Sequence, residues 1–292
     1  MISPDSPSRG QRVVRRHLRL FDFTLRFALL TLLLVPVQMA LLLLGRGASA
    51  RLPVFYHRRL LRLLKVRVHT DPAHLRARAS GPVLILSNHI SWLDIVVLSS
   101  VMPVSFIAKS EVRDWPVFGF LARLQRTVFV DRQRRHKTGQ STREIAGRMQ
   151  AGDCMVLFAE GTTSDGLRVL PFRSPLVGAA GEVLKSGVGE RVRVQPVAIR
   201  YTHRDGLPLR RGDMPAIGWY GDMDLLPHLK DLVVGGTIDV QVLFGETLLF
   251  DAQTDRKLIT KQAENEVRRL FRSGVTHRQN PRISVLSDAK TV

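Results

Sequence analysis

The sequence predicts an α/β fold, a mostly parallel sheet flanked by helices, preceded by an N-terminal helical membrane anchor. Three observations carry this. From position 81 onward short runs rich in Val, Ile and Phe alternate with longer amphipathic runs, the pattern of strand–helix–strand units. Ahead of them, residues 27–44 form an 18-residue stretch that is almost wholly apolar. A hydrophobic content of 45% over 292 residues suffices for one substantial core plus appendages.

Residues 1–26 read as a basic N-terminal arm, polar at first and then arginine-rich, disordered or lying along a surface. Residues 27–68 read as membrane-anchoring helices. A helical 27–44 would be about 27 Å long, barely the hydrocarbon thickness of a bilayer, and Pro36 should kink it. Because Arg15, Arg16, Arg19 and Arg26 precede the run and Arg46, Arg51, Arg58 and Arg59 follow it, the positive-inside rule favours neither orientation. A re-entrant or hairpin anchor therefore competes with a span. In 52–68, Leu60, Leu61, Leu63 and Leu64 alternate with Arg58, Arg59, Arg62 and Lys65, as in a basic helix lying among lipid head groups; an ordinary surface helix gives the same pattern. Arg15-Arg16 and Ala48-Ser49-Ala50 also resemble a cleaved secretory signal, although the apolar run is long for one and Arg46 and Arg51 crowd the cleavage site.

Residues 69–273 read as the α/β domain, with strands expected at 83–86, 105–108, 127–130, 155–159, 194–200 and 238–244. Helices are expected at 93–102, 117–124, 142–150, 175–185 and 255–272. Residues 274–292 are polar and read as a flexible tail.

Charge points to acidic partners. The formal net charge is +19, and the first 67 residues hold thirteen Lys and Arg against two Asp, so +11 of it sits beside the most apolar stretch. An anionic membrane attracts that arrangement, at about 1 kcal/mol per well-placed charge. Nucleic acid is the competing partner, but zinc-ligand spacing, a recognition helix and an aromatic-interleaved basic sheet are all missing from the sequence. The single cysteine, Cys154, excludes an internal disulfide framework, fits a reducing compartment and opens an apolar strand pattern rather than a nucleophile's niche.

The chemistry-bearing stretch begins at Val83 and reads Val-Leu-Ile-Leu-Ser-Asn-His-Ile-Ser-Trp-Leu-Asp. A buried-strand pattern empties into His89, and Asp94 follows five residues later. Imidazole suits general-base work near neutral pH, and a carboxylate can fix its tautomer. Five residues apart on a regular helix, the two side chains would diverge, so they meet only if the first turn is bent; Asn88 and Ser91 are residues that favour such a junction. His17 and Asp22 repeat the spacing without a strand before them. A helix-capping or core histidine is the bland reading of His89 taken alone.

Three further segments end expected strands, where α/β sheets assemble their sites. They are Phe129-Val-Asp-Arg132, Phe158-Ala-Glu-Gly-Thr-Thr-Ser164 and Gln195-Pro-Val-Ala-Ile199. Arg132 could grip an anionic head group with its planar fork, and Gly161 would admit a close backbone approach while Thr162 and Thr163 offer hydroxyls. A surface ion pair or a turn explains any one of these segments alone.

Taken in order, the four blocks resemble those of the glycerophospholipid (1-acylglycerol-3-phosphate type) O-acyltransferases. Asn88, His89, Ser91 and Asp94 match the family's Asn-His-x-x-x-x-Asp block; Phe129, Asp131 and Arg132 match Phe-x-Asp-Arg; Phe158, Glu160, Gly161, Thr162 and Ser164 match most of Phe-Pro-Glu-Gly-Thr-Arg-Ser; and Gln195-Pro196-Val197 answers Val-Pro-Val. The resemblance covers residues 83–199. Ala159 stands for the usual proline, Thr163 for the usual arginine, and Arg126 replaces a glycine before the second block. With Glu-Gly-Thr-Thr-Ser-Asp-Gly continuing to Phe172, the third block looks like that of the lyso-ornithine lipid O-acyltransferase branch, whose acceptor is a zwitterionic amino-acid lipid.

The resemblance implies acyl transfer from acyl carrier protein or acyl-coenzyme A to the free hydroxyl of a lysolipid, with His89 as base, Asp94 as its partner, and Asn88, Ser91, Arg132, Glu160, Gly161, Thr162 and Thr163 on the substrate side. It implies no metal and no bound cofactor, an anionic bacterial inner membrane as the location, and a site facing the cytoplasm. The alternative acceptor is 1-acyl-sn-glycerol-3-phosphate, giving phosphatidic acid. A non-catalytic lipid-binding protein would not need the His89–Asp94 pair, and a hydrolase would want the serine elbow that is missing.

Overall fold

The computed structural model describes residues 9–71, 81–131, 138–187, 190–273 and 284–285. Helix α1 (Arg9–Leu44) is followed by the single turn α2 (Arg46–Ser49), by α3 (Leu52–Leu63) and by strand β1 (Val66–Thr70). Next come β2 (Val83–Ser87), α4 (Leu93–Val101), β3 (Ser105–Lys109), α5 (Phe118–Leu124), β4 (Val128–Val130), α6 (Thr138–Gln150) and β5 (Cys154–Phe158). The chain continues through α7 (Ala179–Lys185), β6 (Val192–Arg204), β7 (Leu207–Pro208), α8 (Leu225–Val234), β8 (Ile238–Phe244), β9 (Leu248–Phe250), α9 (Arg256–Arg272) and β10 (Ser284–Val285).

One ten-stranded sheet runs in the order β10-β1-β8-β6-β2-β5-β3-β4, with β7 and β9 also paired to β6. The run β6-β2-β5-β3-β4 is parallel throughout, and β8 joins β6 antiparallel while remaining parallel to β1. Alternation along each strand divides the core in two. Ile85, Val156, Phe158, Val197, Ile199 and Tyr201 face one cluster, which includes residues of α1, α3, α4 and α8. Leu84, Leu86, Met155, Leu157 and Val194 face the other, with α6, α7 and α9.

Several boundaries differ from the sequence reading. The basic arm is helical from Arg9, so the division placed at residue 26 falls inside α1, and β1 straddles the division placed at residue 68. Strand β1 was missed because its pattern continues the apolar and basic alternation of α3 without a Gly or Pro break, whereas Lys65 turns the chain at φ 56. Leu60 and Leu61 of α3, with Leu64 just after it, are buried in the domain core instead of facing lipid, and Arg58 Nε donates to Ser100 O at 2.8 Å. The helix expected at 175–185 divides into a 3-10 turn, Pro175–Gly178, and α7. The tail lies outside the described residues except for β10.

Helix α1 is long and apolar enough, over Val13–Leu44, to cross a bilayer, and its helical assignment runs unbroken through Pro36. It is fastened to the domain near both ends. Arg16 pairs with Asp231 at 3.0 Å and Arg19 donates to Val234 O at 3.1 Å; further along, Thr31 bonds the Tyr56 hydroxyl at 3.0 Å, and Gln38 Nε2 donates to Ser49 O and Leu124 O at 3.0 and 3.1 Å. These points span about 33 Å of helix. On the other side Phe21, Leu29, Leu32 and Leu33 stand exposed.

Candidate active site

Register places the site. Ser87 lies opposite Phe158 of β5 and Val197 of β6, so the chain leaves β2 level with the end of β5, while β6 runs on to Arg204 beside the loop. Asn88 then splints the loop: its Nδ2 donates to Ile199 O at 2.9 Å and its Oδ1 accepts from Ile199 N at 2.8 Å. Buried, with both ends of its amide bonded within the chain, Asn88 holds the strand junction instead of reaching a substrate as the sequence suggested.

Residues 88–92 are not helical, and this bend lets a five-residue separation close. His89 Nδ1 lies 2.9 Å from Asp94 Oδ2. The same oxygen accepts from Ile90 N at 2.6 Å and Ser91 N at 3.0 Å, and Asp94 Oδ1 accepts from the Tyr201 hydroxyl at 2.8 Å. Four donors converge on one buried carboxylate in the first turn of α4, where the helix dipole also favours negative charge. A carboxylate so surrounded acts as an acceptor, so Nδ1 carries the imidazole proton and Nε2 is left as the basic nitrogen.

The two side chains differ in access: the His89 side chain is 17% exposed and that of Asp94 0%. The imidazole stacks on Phe158 at 3.9 Å between ring centroids, tilted by 8°, and Phe158 stacks on Phe106 at 5.9 Å. The loop after β5 holds the histidine from behind, where Ser164 N and Oγ both donate to His89 O, at 2.8 and 3.1 Å. On the other side Trp219 N donates to Ile90 O at 2.9 Å.

Glu160 is buried and its Oε1 accepts from Leu170 N at 3.1 Å, which closes the loop 160–170 on itself. Burial pushes its carboxyl up to about 8; backbone hydrogen bonds from Leu170 and His89 oppose the rise, the Asp94 charge adds to it and Arg268 opposes it. Glu160, which the resemblance put on the substrate side, is thus a buried anchor that ties this loop to the His89 backbone. Gly161 occupies φ 78, a left-handed turn that suits glycine, and places exposed Thr162 and half-buried Thr163 beyond it. Ser91 donates its N–H to Asp94, and its buried Oγ has no hydrogen-bond partner among the described residues. Arg132 lies outside the described residues. Among the described residues no three His, Cys, Asp or Glu side chains cluster as metal ligands would.

An apolar cavity of about 200 Å³ opens between the anchor helices and the domain, lined by Phe27, Tyr56, Trp92, Phe106, Trp115 and Phe118 among others. Phe106 joins this cavity to the stack under His89. At its edge Val117 sits at φ 62, ψ −56, with Phe118 N donating to Pro116 O at 2.6 Å, a strained γ-turn for a β-branched residue.

A protein-family model described as Acyltransferase matches residues 65–200. The chain is 50% identical over 264 residues to the lyso-ornithine lipid O-acyltransferase of Brucella abortus, covering 90% of this chain and 98% of that protein. The chain belongs to the acyltransferase family. It is also 41% identical to the lyso-ornithine lipid O-acyltransferase of Rhizobium meliloti, over 83% of this chain and 82% of that one. The crystal structure of the 1-acyl-sn-glycerophosphate acyltransferase PlsC from Thermotoga maritima shares the fold, with a TM-score of 0.60 at 20% identity over 88% of this chain and 96% of that one.

Two residues of this acyltransferase's site went unread in the sequence. Tyr201, which closes the carboxylate's shell, lies on the same face of β6 as Val197 and Ile199 by period-two alternation, a signal available once β6 is extended past Arg200. His228 accepts from Trp92 Nε1 at its Nδ1 at 3.0 Å and sits on α8, a helix absent from the sequence reading.

Proposed function

We propose that this acyltransferase moves a fatty acyl group from a thioester, carried on acyl carrier protein or coenzyme A, to the free hydroxyl of lyso-ornithine lipid. The observation that carries the reading is the His89–Asp94 pair, a basic imidazole nitrogen left free and partly exposed beside an apolar cavity. His89 Nε2 takes the proton of the acceptor hydroxyl as its oxygen attacks the thioester carbonyl, and Asp94 stabilises the imidazolium that forms. When the tetrahedral adduct collapses, the C–S bond breaks and the imidazolium returns its proton to the departing thiolate. The acyl chain occupies the cavity under the anchor helices, and the turn Gly161-Thr162-Thr163 serves the acceptor, a role that the family's Phe-x-Asp-Arg block gives to Arg132 as well. The branch of relatives at 50% and 41% identity supports the lyso-ornithine acceptor.

The anchor reading follows from α1. A helix bonded to its own domain from Arg16 to Gln38, with leucines exposed along the opposite side, suits a helix lying in the membrane plane better than one surrounded by lipid. The basic surroundings then meet anionic head groups of the inner membrane from the cytoplasmic side.

The test offers purified protein a labelled acyl donor with lyso-ornithine lipid and, separately, with 1-acyl-sn-glycerol-3-phosphate, and identifies the product by mass. Diacylated ornithine lipid from the wild type and none from His89→Ala is the expected result. Phosphatidic acid alone would reassign the acceptor, and full turnover by His89→Ala would remove the base.

A further inference from the structure

A second basic feature lies on the same rim of the sheet, away from the four blocks. The last turns of α9 carry Arg268 and Arg272, four residues apart and therefore on one helix face. Arg168 reaches them from the loop after β5. With Leu167, Val169 and Phe271 these three arginines line a cavity of about 280 Å³. The carboxylate at hand is Glu264, which pairs with Arg268 Nη2 at 2.9 Å and is already engaged by Phe172 N and by Lys261. Arg168 and Arg272 are exposed and have no ion pair among the described residues. Three cations against one shared carboxylate leave a cavity that is positive and built from planar forks, the geometry that receives a carboxylate or phosphate in two parallel bonds.

Its position ties it to the site. Arg200, between Ile199 and Tyr201 on β6 and on the opposite face from them, donates to Phe271 O at 3.1 Å, which fixes the end of α9 across the sheet from the His89 loop but level with it along β6. Arg268 is close enough to Glu160 to oppose the rise of its pKa. Arg168 lies four residues after Ser164, the residue that holds His89 O, so its Cα is within about 14 Å of that serine's.

We propose that Arg168, Arg268 and Arg272 form an anion subsite that takes the carboxylate of the acceptor's amino-acid head group. The inference rests on the acceptor assigned above and adds to it the group that recognises the head. The acceptor is favoured over the phosphate of the donor arm because Arg168 belongs to the loop that pins His89, where the acceptor hydroxyl must sit. Thr163, in place of the arginine usual in the third block, leaves that recognition to other cations.

Initial rates decide it, measured with lyso-ornithine lipid and with its carboxyl methyl ester, each at saturating donor, and then with donor varied. Each of Arg168→Ala and Arg272→Ala is expected to raise the apparent KM for lyso-ornithine lipid about tenfold, and the double variant more, with a smaller effect on kcat. The methyl ester should show the high KM already in the wild type and gain little further from the substitutions. Both side chains are exposed, so melting temperatures should match the wild type and separate lost binding from lost folding. A rise confined to the donor KM would move the subsite to the donor phosphate and overturn the proposal, as would an unchanged acceptor KM or an ester as sensitive as the acid. If the wild type acylates lyso-ornithine lipid while the double variant is unaffected, the subsite alone fails; if the wild type does not acylate it, the acceptor reading fails and the subsite with it.

Discussion

Two histidine–aspartate pairs stand among the described residues, and they differ in what surrounds them. His89 and Asp94 meet at 2.9 Å where β2 gives way to α4; His69 of β1 and Asp239 of β8 meet at 2.6 Å at the far side of the sheet. In the second pair both side chains are buried, at 6% and 8% exposure, and Arg67 closes the other carboxylate oxygen at 2.6 Å. The first pair keeps one face of its imidazole open, and its carboxylate is held by backbone N–H groups and a phenol instead of a second cation. A hydrogen-bonded pair is therefore common to both; access to the second ring nitrogen is what separates a site able to move protons from one that ties two strands together.

Exchanging the same substitution between the two pairs tests this most strongly. His89→Gln should cut kcat/KM by about 10²- to 10⁴-fold, the usual contribution of a general base, with little change in melting temperature. His69→Gln should do the reverse, losing about 1–3 kcal/mol of stability as a buried carboxylate is left with a poorer partner, while kcat stays near the wild type. Initial rates and chemical denaturation on both variants suffice; a catalytic defect in His69→Gln would erase the distinction. Asp94 is unlike either histidine, since removing the acceptor of four hydrogen bonds should cost activity and folding together.

Two buried carboxyl groups, Asp239 of the second pair and Glu160 beside the first, respond to pH in opposite directions. Burial alone would raise Asp239, but hydrogen bonds from Arg67 and His69 hold its pKa below the usual range, so its contribution to stability is present above about 3.8 and lost on acidification. Glu160 has no cation bonded to it among the described residues and rises to about 8. Its native form binds a proton that the unfolded chain has released, so that contribution is complete below the unfolded value near 4.5 and fades as pH climbs through 8. Glu160→Gln should match the wild type at pH 5 and become the more stable of the two between pH 7 and 9, as read by urea unfolding. Parallel curves at all pH values would show that Glu160 is not protonated in the native state.

Tyr201→Phe probes the shell of the first pair more gently. The phenol serves one oxygen of Asp94 and nothing in the reaction, so its loss leaves a buried acceptor unpaired at about 1–3 kcal/mol. A roughly tenfold fall in kcat with an unchanged acceptor KM is expected. Loss of stability with full kcat would make Tyr201 a packing residue only.

How far the site was legible in the chain turns on these same residues. The five-residue spacing of His89 and Asp94 recurs at His17 and Asp22, so the spacing alone did not single out the site. In α1 the helix is regular, His17 bonds Val13 O at 2.9 Å and Asp22 bonds Arg26 at 2.7 Å, so the two turn away from each other. After β2 the chain is bent for five residues, and they meet. The strand ahead of His89 was the local signal that told the cases apart. Non-local facts left no such trace: the pair at His69 and Asp239 is separated by 170 residues, and the Tyr201 contact spans 107. Helix α3 was misread for the same reason, since a leucine stripe looks alike whether lipid or protein covers it.

Arg126 offers the finest of these tests. The sequence showed an arginine where the family carries glycine, without saying why. The structure places it at φ 63, left-handed backbone that costs an ordinary residue about 1–2 kcal/mol. Two contacts offset that strain: Arg126 Nη2 reaches Asp153 at 3.1 Å, and Arg148 Nη2 donates to Arg126 O at 2.5 Å. Arg126→Gly would relieve the backbone but lose the ion pair and add freedom to the unfolded chain, which opposes the gain. The net change in unfolding free energy should therefore stay within about 1 kcal/mol, with kcat and both KM values unchanged, because the turn before β4 lies outside the His89 shell. Arg126→Ala keeps the strain and removes the ion pair, so it should be the less stable of the two variants. The opposite ranking in denaturation curves would mean that the extra freedom glycine gives the unfolded chain outweighs the relief of backbone strain at this turn.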